Sequence, residues 1–513
     1  MSKDRKDNIP MKKIFAILLT LCMLVGMLGV AAVTASAEEA TTEETTTEAE
    51  DTAGSVVIRV TGLKKDGTVF TPEESEFTDF HTGWVAAATY AKNSTWKNTN
   101  DIDRVIVDLL TDWTGVNMSL GGSGEGFSDG AICFPKNTRI TLNMNGHTIN
   151  RARTEWDYNG EVIYIREGAD VIINDGTISG GWSGNGAGGI HIDNKAVVTL
   201  NNVHVIGNVA DDDHGGGIAI HDNAVLTMNG GSFENNRVKS GNGGAVYVYK
   251  ATTIFNNVEF KNNNALSDDS RTQGTVISAY KGDVTLNECV VDGNGIADED
   301  KGYKASTTLF YVFQSTMTVK KSTFTNNGDK FCQRIWGETT AYFANHSSLF
   351  LLNKGDLTVE NDCKFSNNSV YVLIKSYNKD TVSVSDSTFT DNDSVVYYSS
   401  VNSYDIAFTR CTFNNNTSTG PNLKASTFAA TDDTITFNEC DLGNSTLDSC
   451  KNVVLVDTEA ANGTPKLSGS IFSEGSLTNI LVILSLAAST VSICLTIAFN
   501  KKKAVGATAN DEE

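Results

Sequence analysis

A phrase of about 27 residues recurs some eleven times between Ile140 and Asn444, and it restricts the chain to a repeat architecture. Its most regular piece is an apolar-Thr-apolar-Asn strand ending: Ile140–Asn143, Val198–Asn201, Leu226–Asn229, Val284–Asn287 and Ile435–Asn438. Weaker copies end at Asn174, Asn256, Lys320, Glu360, Ser385 and Thr409, and successive endings lie 24 to 40 residues apart. A period in this range means a solenoid or array. The copies are rich in β-branched residues with period-two alternation and Gly/Asn punctuation, so the units are strands.

One unit reads in three strokes: Gly215–His221, Ala224–Asn229 and Gly231–Asn236. Each is a short alternating strand closed by Gly, Asn or Asp, residues that accept turn geometry. Three short strands per turn, with every turn starting in the same phase, describe a parallel β-helix. The third stroke forms a second ladder, with Phe233, Phe260, Phe324, Phe365, Phe389 and Phe413 each followed three residues later by Asn. The spacing predicts that Phe points inward and stacks on the Phe one turn away. The Asn turns the corner, where its amide hydrogen-bonds its neighbour along the stack. With strands roughly 4.8 Å apart, eleven turns make a rod about 50 Å long.

The Gly-Gly-Ala-Val run at 243–246, with Gly188-Gly-Ile190 and Gly215-Gly-Gly-Ile218, followed by Phe-x-x-Asn, resembles the repeats of the polymorphic outer-membrane proteins. More broadly, the stretch from Val56 to Val456 is similar to right-handed β-helix proteins of the pectin-lyase-like superfamily. The resemblance implies an all-β, right-handed parallel β-helix. It says little of function, because that superfamily mixes lyases, hydrolases, adhesins and stalks. One departure is plain: polymorphic outer-membrane proteins end in a membrane β-barrel, and this chain ends in an apolar segment suited to a helix.

The ends predict where the chain resides. Met11-Lys-Lys13, the apolar run Ile14–Val33 and Ala35-Ser-Ala37 have the three parts of a secretory signal, so residues 1–37 are expected to be a signal peptide. Residues 38–54 are nearly all Thr, Glu, Ala and Asp, a disordered linker by composition. An N-terminal cap with the first strands is expected over 55–135, the β-helix over 136–457 and a juxtamembrane stalk over 458–476. Leu477–Phe499 is predominantly apolar and uncharged, about 34 Å long as a helix, enough to cross a bilayer of roughly 30 Å. Lys501-Lys-Lys503 then sets a cytoplasmic tail at 500–513.

A formal charge of −22 with no basic cluster outside the membrane flank argues against nucleic acid as a partner. In the lead-in, Phe80–Tyr90 has helix-compatible spacing and Arg104–Asp112 reads as a strand. A helix capping the rod would hide the first turn's unpaired edge. The nine Cys read as packing residues. Cys22 and Cys494 lie in the apolar terminal segments, while Cys289, Cys363, Cys411 and Cys440 share one inward slot just after the ladder position. Other turns fill that slot with Val203, Gly231, Val258, Ser322 and Ser387. No Cys-x-x-Cys pair suggests a metal, and no cofactor is expected.

Asp211-Asp-Asp-His214 has the residue types for Ca²⁺ binding or acid–base work, as in polygalacturonase-like β-helices. Four contiguous residues in one corner loop, without companion groups on adjacent turns, read instead as a solvated loop. No catalytic or metal residue is assigned. His191, His221, Tyr249, Tyr280, Tyr311 and Tyr398 alternate outward on the first strokes, a candidate platform for sugar rings. Inserted residues fall between the third stroke and the next first stroke, at 264–273, 295–306, 328–348 and 417–424, so they emerge from one edge of the rod. The longest holds Phe331, Arg334, Trp336, Tyr342, Phe343 and His346. The candidate ligand-binding residues are therefore Arg334, Trp336, Tyr342, Phe343, Tyr249 and Tyr280. The reading is a single-pass, membrane-anchored bacterial surface protein whose β-helix displays a binding or adhesion surface, for glycans or a neighbouring cell. A polysaccharide lyase or glycoside hydrolase and a passive stalk are the alternatives.

Overall fold

The structure is a computed structural model that describes residues 55–115, 127–128, 131–265, 273–296, 308–328, 348–399, 405–418 and 426–458. Thirty-five (35) of the described strands join one hydrogen-bonded sheet system that is parallel almost throughout, as in a β-helix-like solenoid. The three strokes form three parallel faces. The first runs through Ile163–Ile165, Ile190–Ile192, Ile218–Ile220, Val246–Tyr249 and Ile277–Tyr280. The second carries the Asn ladder, in register from Asn143 through Asn174, Asn201, Asn229 and Asn256 to Asn287. It reaches one rung beyond the sequence repeat at each end, with Asp108 paired to Asn143 and Val456 to Asn438. The third carries the Phe ladder, with Phe233 opposite Phe260 and Phe365 opposite Phe389.

The corners explain the Asn, Asp and Gly punctuation. At eight turns a single left-handed residue follows the ladder position: Asp175, Asn202, Asn257, Glu288, Lys321, Asp386, Arg410 and Glu439 all have φ near +50°. Another follows each third stroke, at Asn235, Asn262, Asn326, Asn367, Asp391 and Asn415. Asn and Asp tolerate this region better than other side chains with a Cβ. At Asn361 and Asp362 two successive residues have positive φ, which is the extra residue that delays Cys363.

The core is a continuous apolar column. Phe324, Phe365, Phe389 and Phe413 stack at centroid separations of 4.8, 4.6 and 5.2 Å, as their spacing predicts. Beside them runs a buried amide ladder through Asn208, Asn236, Asn263, Asn294, Asn327, Asn368, Asn392 and Asn416, each Nδ2 donating to the next Oδ1. Cys289, Cys363, Cys411 and Cys440 are buried free thiols in their expected slot.

The lead-in forms a helix and a strand where the sequence spacing placed them. Asp79 accepts from the Thr82 amide at 2.8 Å and starts the helix Phe80–Lys92, whose buried face includes Phe80, Trp84, Ala87 and Ala91. Trp84 meets Phe134 edge-on at 4.9 Å. A Cβ on Gly83 would come within 2.2 Å of Ile58, so glycine is what lets the helix lie on the strand Ile58–Lys64. That strand pairs antiparallel with Ile102–Leu109, which leads into the parallel stack. Among the described residues no helix is long and apolar enough to cross a membrane. The expected signal, linker, spanning segment and tail all lie outside the described residues.

Candidate binding corner

The outward side chains of the first face form two parallel columns. Tyr164 lies opposite His191, then Ala219, Tyr247, Ser278 and Tyr311 follow; Lys375 and Tyr398 continue that column further on. Two residues along each strand, Tyr249, Tyr280 and Phe313 make the second column. His221 stands diagonally between the two, 5.0 Å from His191 and 6.4 Å from Tyr249. Tyr249 and Tyr280 stack at 5.5 Å and 18°, and Tyr280 and Phe313 at 4.5 Å and 20°. Their faces cover one another, leaving edges and the Lys250 and Lys281 ammonium groups towards solvent. Cross-strand stacking of this kind stabilises the sheet.

The Asp211–His214 loop folds onto this same face, which corrects the expectation of a solvated loop. Asp211 is buried (3% exposed), accepts from Trp182 Nε1 at 3.0 Å and pairs with Lys239 at 2.7 Å. Asp213 accepts from the amides of Gly186 at 2.7 Å and His214 at 2.8 Å. His214 Nδ1 accepts from the Asn242 amide at 2.9 Å, and its ring lies 4.2 Å from Tyr247. Burial pushes the His191 imidazole down to about 4, with His221 adding to the effect, and lowers His214 and His221 also. Burial raises the Tyr164 phenol to about 12. These are neutral groups at neutral pH, and His214 ties its own loop to the next through the Asn242 amide. Among the described residues no group of three or more His, Cys, Asp or Glu is placed to hold a metal ion.

Besides Tyr377, the exposed aromatic side chains among the described residues lie in the corner loop between Asn150 and Ile163, and sequence reasoning passed over it. Trp156 is 47% exposed and Tyr158 59%. The indole lies against the next turn: a Cβ on Gly184 would sit 2.0 Å from Trp156 Nε1. Backbone bonds clamp the loop on both sides of it, Arg153 N to Gly180 O at 2.9 Å and Gly184 N to Asp157 O at 2.8 Å. Arg153 pairs with Asp157, and the buried Arg151 guanidinium donates to the carbonyls of Glu161 and Asn159. Burial lowers the Arg151 guanidinium to about 10. The Trp-x-Tyr spacing in a polar corner was the available signal, hidden because this corner has no length excess as marked as the later ones.

Of the sequence-predicted binding residues, Tyr249 and Tyr280 come together in the stacked column, whereas Arg334, Trp336, Tyr342 and Phe343 lie outside the described residues. A groove of about 240 Å³ on the third face, lined by His204, Ser232, Glu259 and Glu288, falls below the roughly 300–1,000 Å³ of small-molecule sites. The chain matches no described protein family, no curated protein and no solved structure.

Proposed function

We propose that this chain is a cell-surface right-handed β-helix of the pectin-lyase-like kind, anchored through Leu477–Phe499, which binds glycans along its loop corner. The observation that carries the reading is Trp156. It is a large indole held on the Gly184 backbone, open to solvent, beside Tyr158 and the polar Arg153–Asp157 pair. An aromatic face rimmed by hydrogen-bonding groups suits a sugar ring, which is apolar on one side and polar at its edge. Rigid support lowers the ordering cost of binding. Residues 328 and 348 join the third face to the first, as residues 150 and 163 do, so Arg334 and Trp336 between them would extend the surface along the rod. The right hand is the sense favoured for parallel crossover connections. A hydrolytic or eliminating enzyme would want uncommitted carboxylates or bases, and Asp211 and Asp213 are both engaged in structural bonds.

The test is a glycan array probed with the full chain, followed by Trp156→Ala and Tyr158→Ala on any hit. Each substitution is expected to weaken binding about five- to tenfold, for a stacking contact near 1 kcal/mol. Tyr158→Ala should leave melting unchanged, whereas Trp156→Ala should lower it slightly, since half of the indole packs on Gly184. Full retention of affinity in the double variant would remove this corner from recognition.

A further inference from the structure

We infer that Cys411 and Cys440 form an oxidation site, a pair of thiols that a small disulfide converts into a cross-link between two successive turns of the solenoid. The two residues occupy the same inward slot in successive turns. Thr409 is in register with Asn438 before them, and Thr412 bridges Asp441 after them, so the two cysteines lie directly opposite. Parallel neighbours sit about 4.8 Å apart, inside the roughly 4.4–6.8 Å over which disulfides join Cα atoms. The Cys411 amide donates to Cys440 Sγ at 3.4 Å, and the two thiols interact directly. Nowhere else along this column do two cysteines stand on adjacent turns: Ser322 separates Cys289 from Cys363, and Ser387 separates Cys363 from Cys411.

The position also supplies access and chemistry. Cys440 lies just past the end of the strand Phe428–Asn438, its amide donates to Thr458 Oγ1 at 3.1 Å, and one further described turn, through Val456, lies beyond it; turns near the end of a stack open more readily than its middle. The hydrogen bond from Cys411 pulls the Cys440 thiol down to about 7, while the same interaction pushes Cys411 up. Cys440 is therefore the member that ionises first, and the thiolate is the form that attacks disulfides. Cys440 Sγ attacks one sulfur of the oxidant, whose S–S bond breaks, and the departing thiolate takes up the proton Cys440 has lost. Cys411 Sγ then attacks Cys440 Sγ in the mixed disulfide and expels the second thiol, which carries off the Cys411 proton. Two protein S–H groups and one disulfide become one protein S–S bond and two free thiols.

The experiment equilibrates the folded full chain with oxidised and reduced glutathione, the oxidised form in excess. Free thiols are then trapped by alkylation and the digest is read by mass spectrometry. The expected result is a Cys411–Cys440 linked peptide, with the chain lighter by two hydrogens. Cys411→Ser or Cys440→Ser should abolish it, and serine is compatible with the slot because Ser322 and Ser387 occupy it in other turns, each donating to a carbonyl at 2.7 Å. Refolding from urea in the same buffer removes any barrier of access. Complete alkylation of both residues after refolding, or a link from Cys440 to Cys450 instead, would overturn the inference.

Discussion

Replacing Asn327 by alanine tests the buried amide ladder most sharply. Asn327 is fully buried. Its Nδ2 donates to Val291 O and to Asn368 Oδ1, both at 2.9 Å. Its Oδ1 accepts from the Asn294 amide at 3.1 Å and from Asn294 Nδ2 at 3.0 Å. Alanine leaves the Asn294 amide without its acceptor, at a cost of about 1–3 kcal/mol, and removes three further hydrogen bonds worth about 0.5–1.5 kcal/mol each. The expected loss is about 3–6 kcal/mol. The second-face ladder supplies the control. Asn229 also donates to an amide neighbour, Asn201, at 2.9 Å, but it is exposed, and Asn229→Ala should cost less than about 1 kcal/mol. An isosteric change adds a sign. In Asn327→Asp a carboxylate would face two acceptors, raising its folded pKa above the unfolded value of about 3.9. Its stability should then be retained at low pH and lost as pH rises through the folded pKa. Urea midpoints followed by intrinsic fluorescence measure all three. Equal midpoints for Asn327→Ala and Asn229→Ala would refute the claim that burial, and not ladder membership, makes these amides matter.

Three more outcomes are expected. Phe389→Ala should cost about 3–5 kcal/mol, because the ring is sandwiched between Phe365 and Phe413 and its loss leaves a cavity; an unchanged denaturation midpoint would contradict the inward assignment. Stability should fall as pH drops from about 6.5 towards 4, since the unfolded chain takes up protons that buried His191, flanked by His221, Tyr164, Asp193 and Asp213, resists binding. His191→Gln should flatten that slope in calorimetric melts across the range. A chain stopped near Gly475 should be released in soluble, folded form, since solenoid contacts run between neighbouring turns; its recovery with membranes would assign the anchor to Ile14–Val33.

The Asp211 loop and the aromatic columns show where periodicity stops being informative. Alternation separates inward from outward residues, and it placed His191, Tyr249 and Tyr280 on the outer face correctly. It carries no information about what folds over that face. Asp211 looked solvated because four polar residues in a row ordinarily are; Trp182 and Lys239, each about a turn away in sequence, enclose it. Parity also cannot separate the two columns of outward rings, because positions two residues apart share it.

The chain alone therefore determined the parallel stack, the Phe and Asn ladders, the inward thiol slot and the lead-in helix. Each follows from a local rule, strand parity or turn chemistry, repeated until it overwhelms accident. Only the tertiary structure decided which outward groups remain open. Tyr249 lost its faces to Tyr280 one turn away, whereas Trp156 kept one because residue 184 is a glycine. Those contacts join residues some 28 to 31 positions apart across the register of neighbouring turns, and register, unlike parity, depends on every insertion between them.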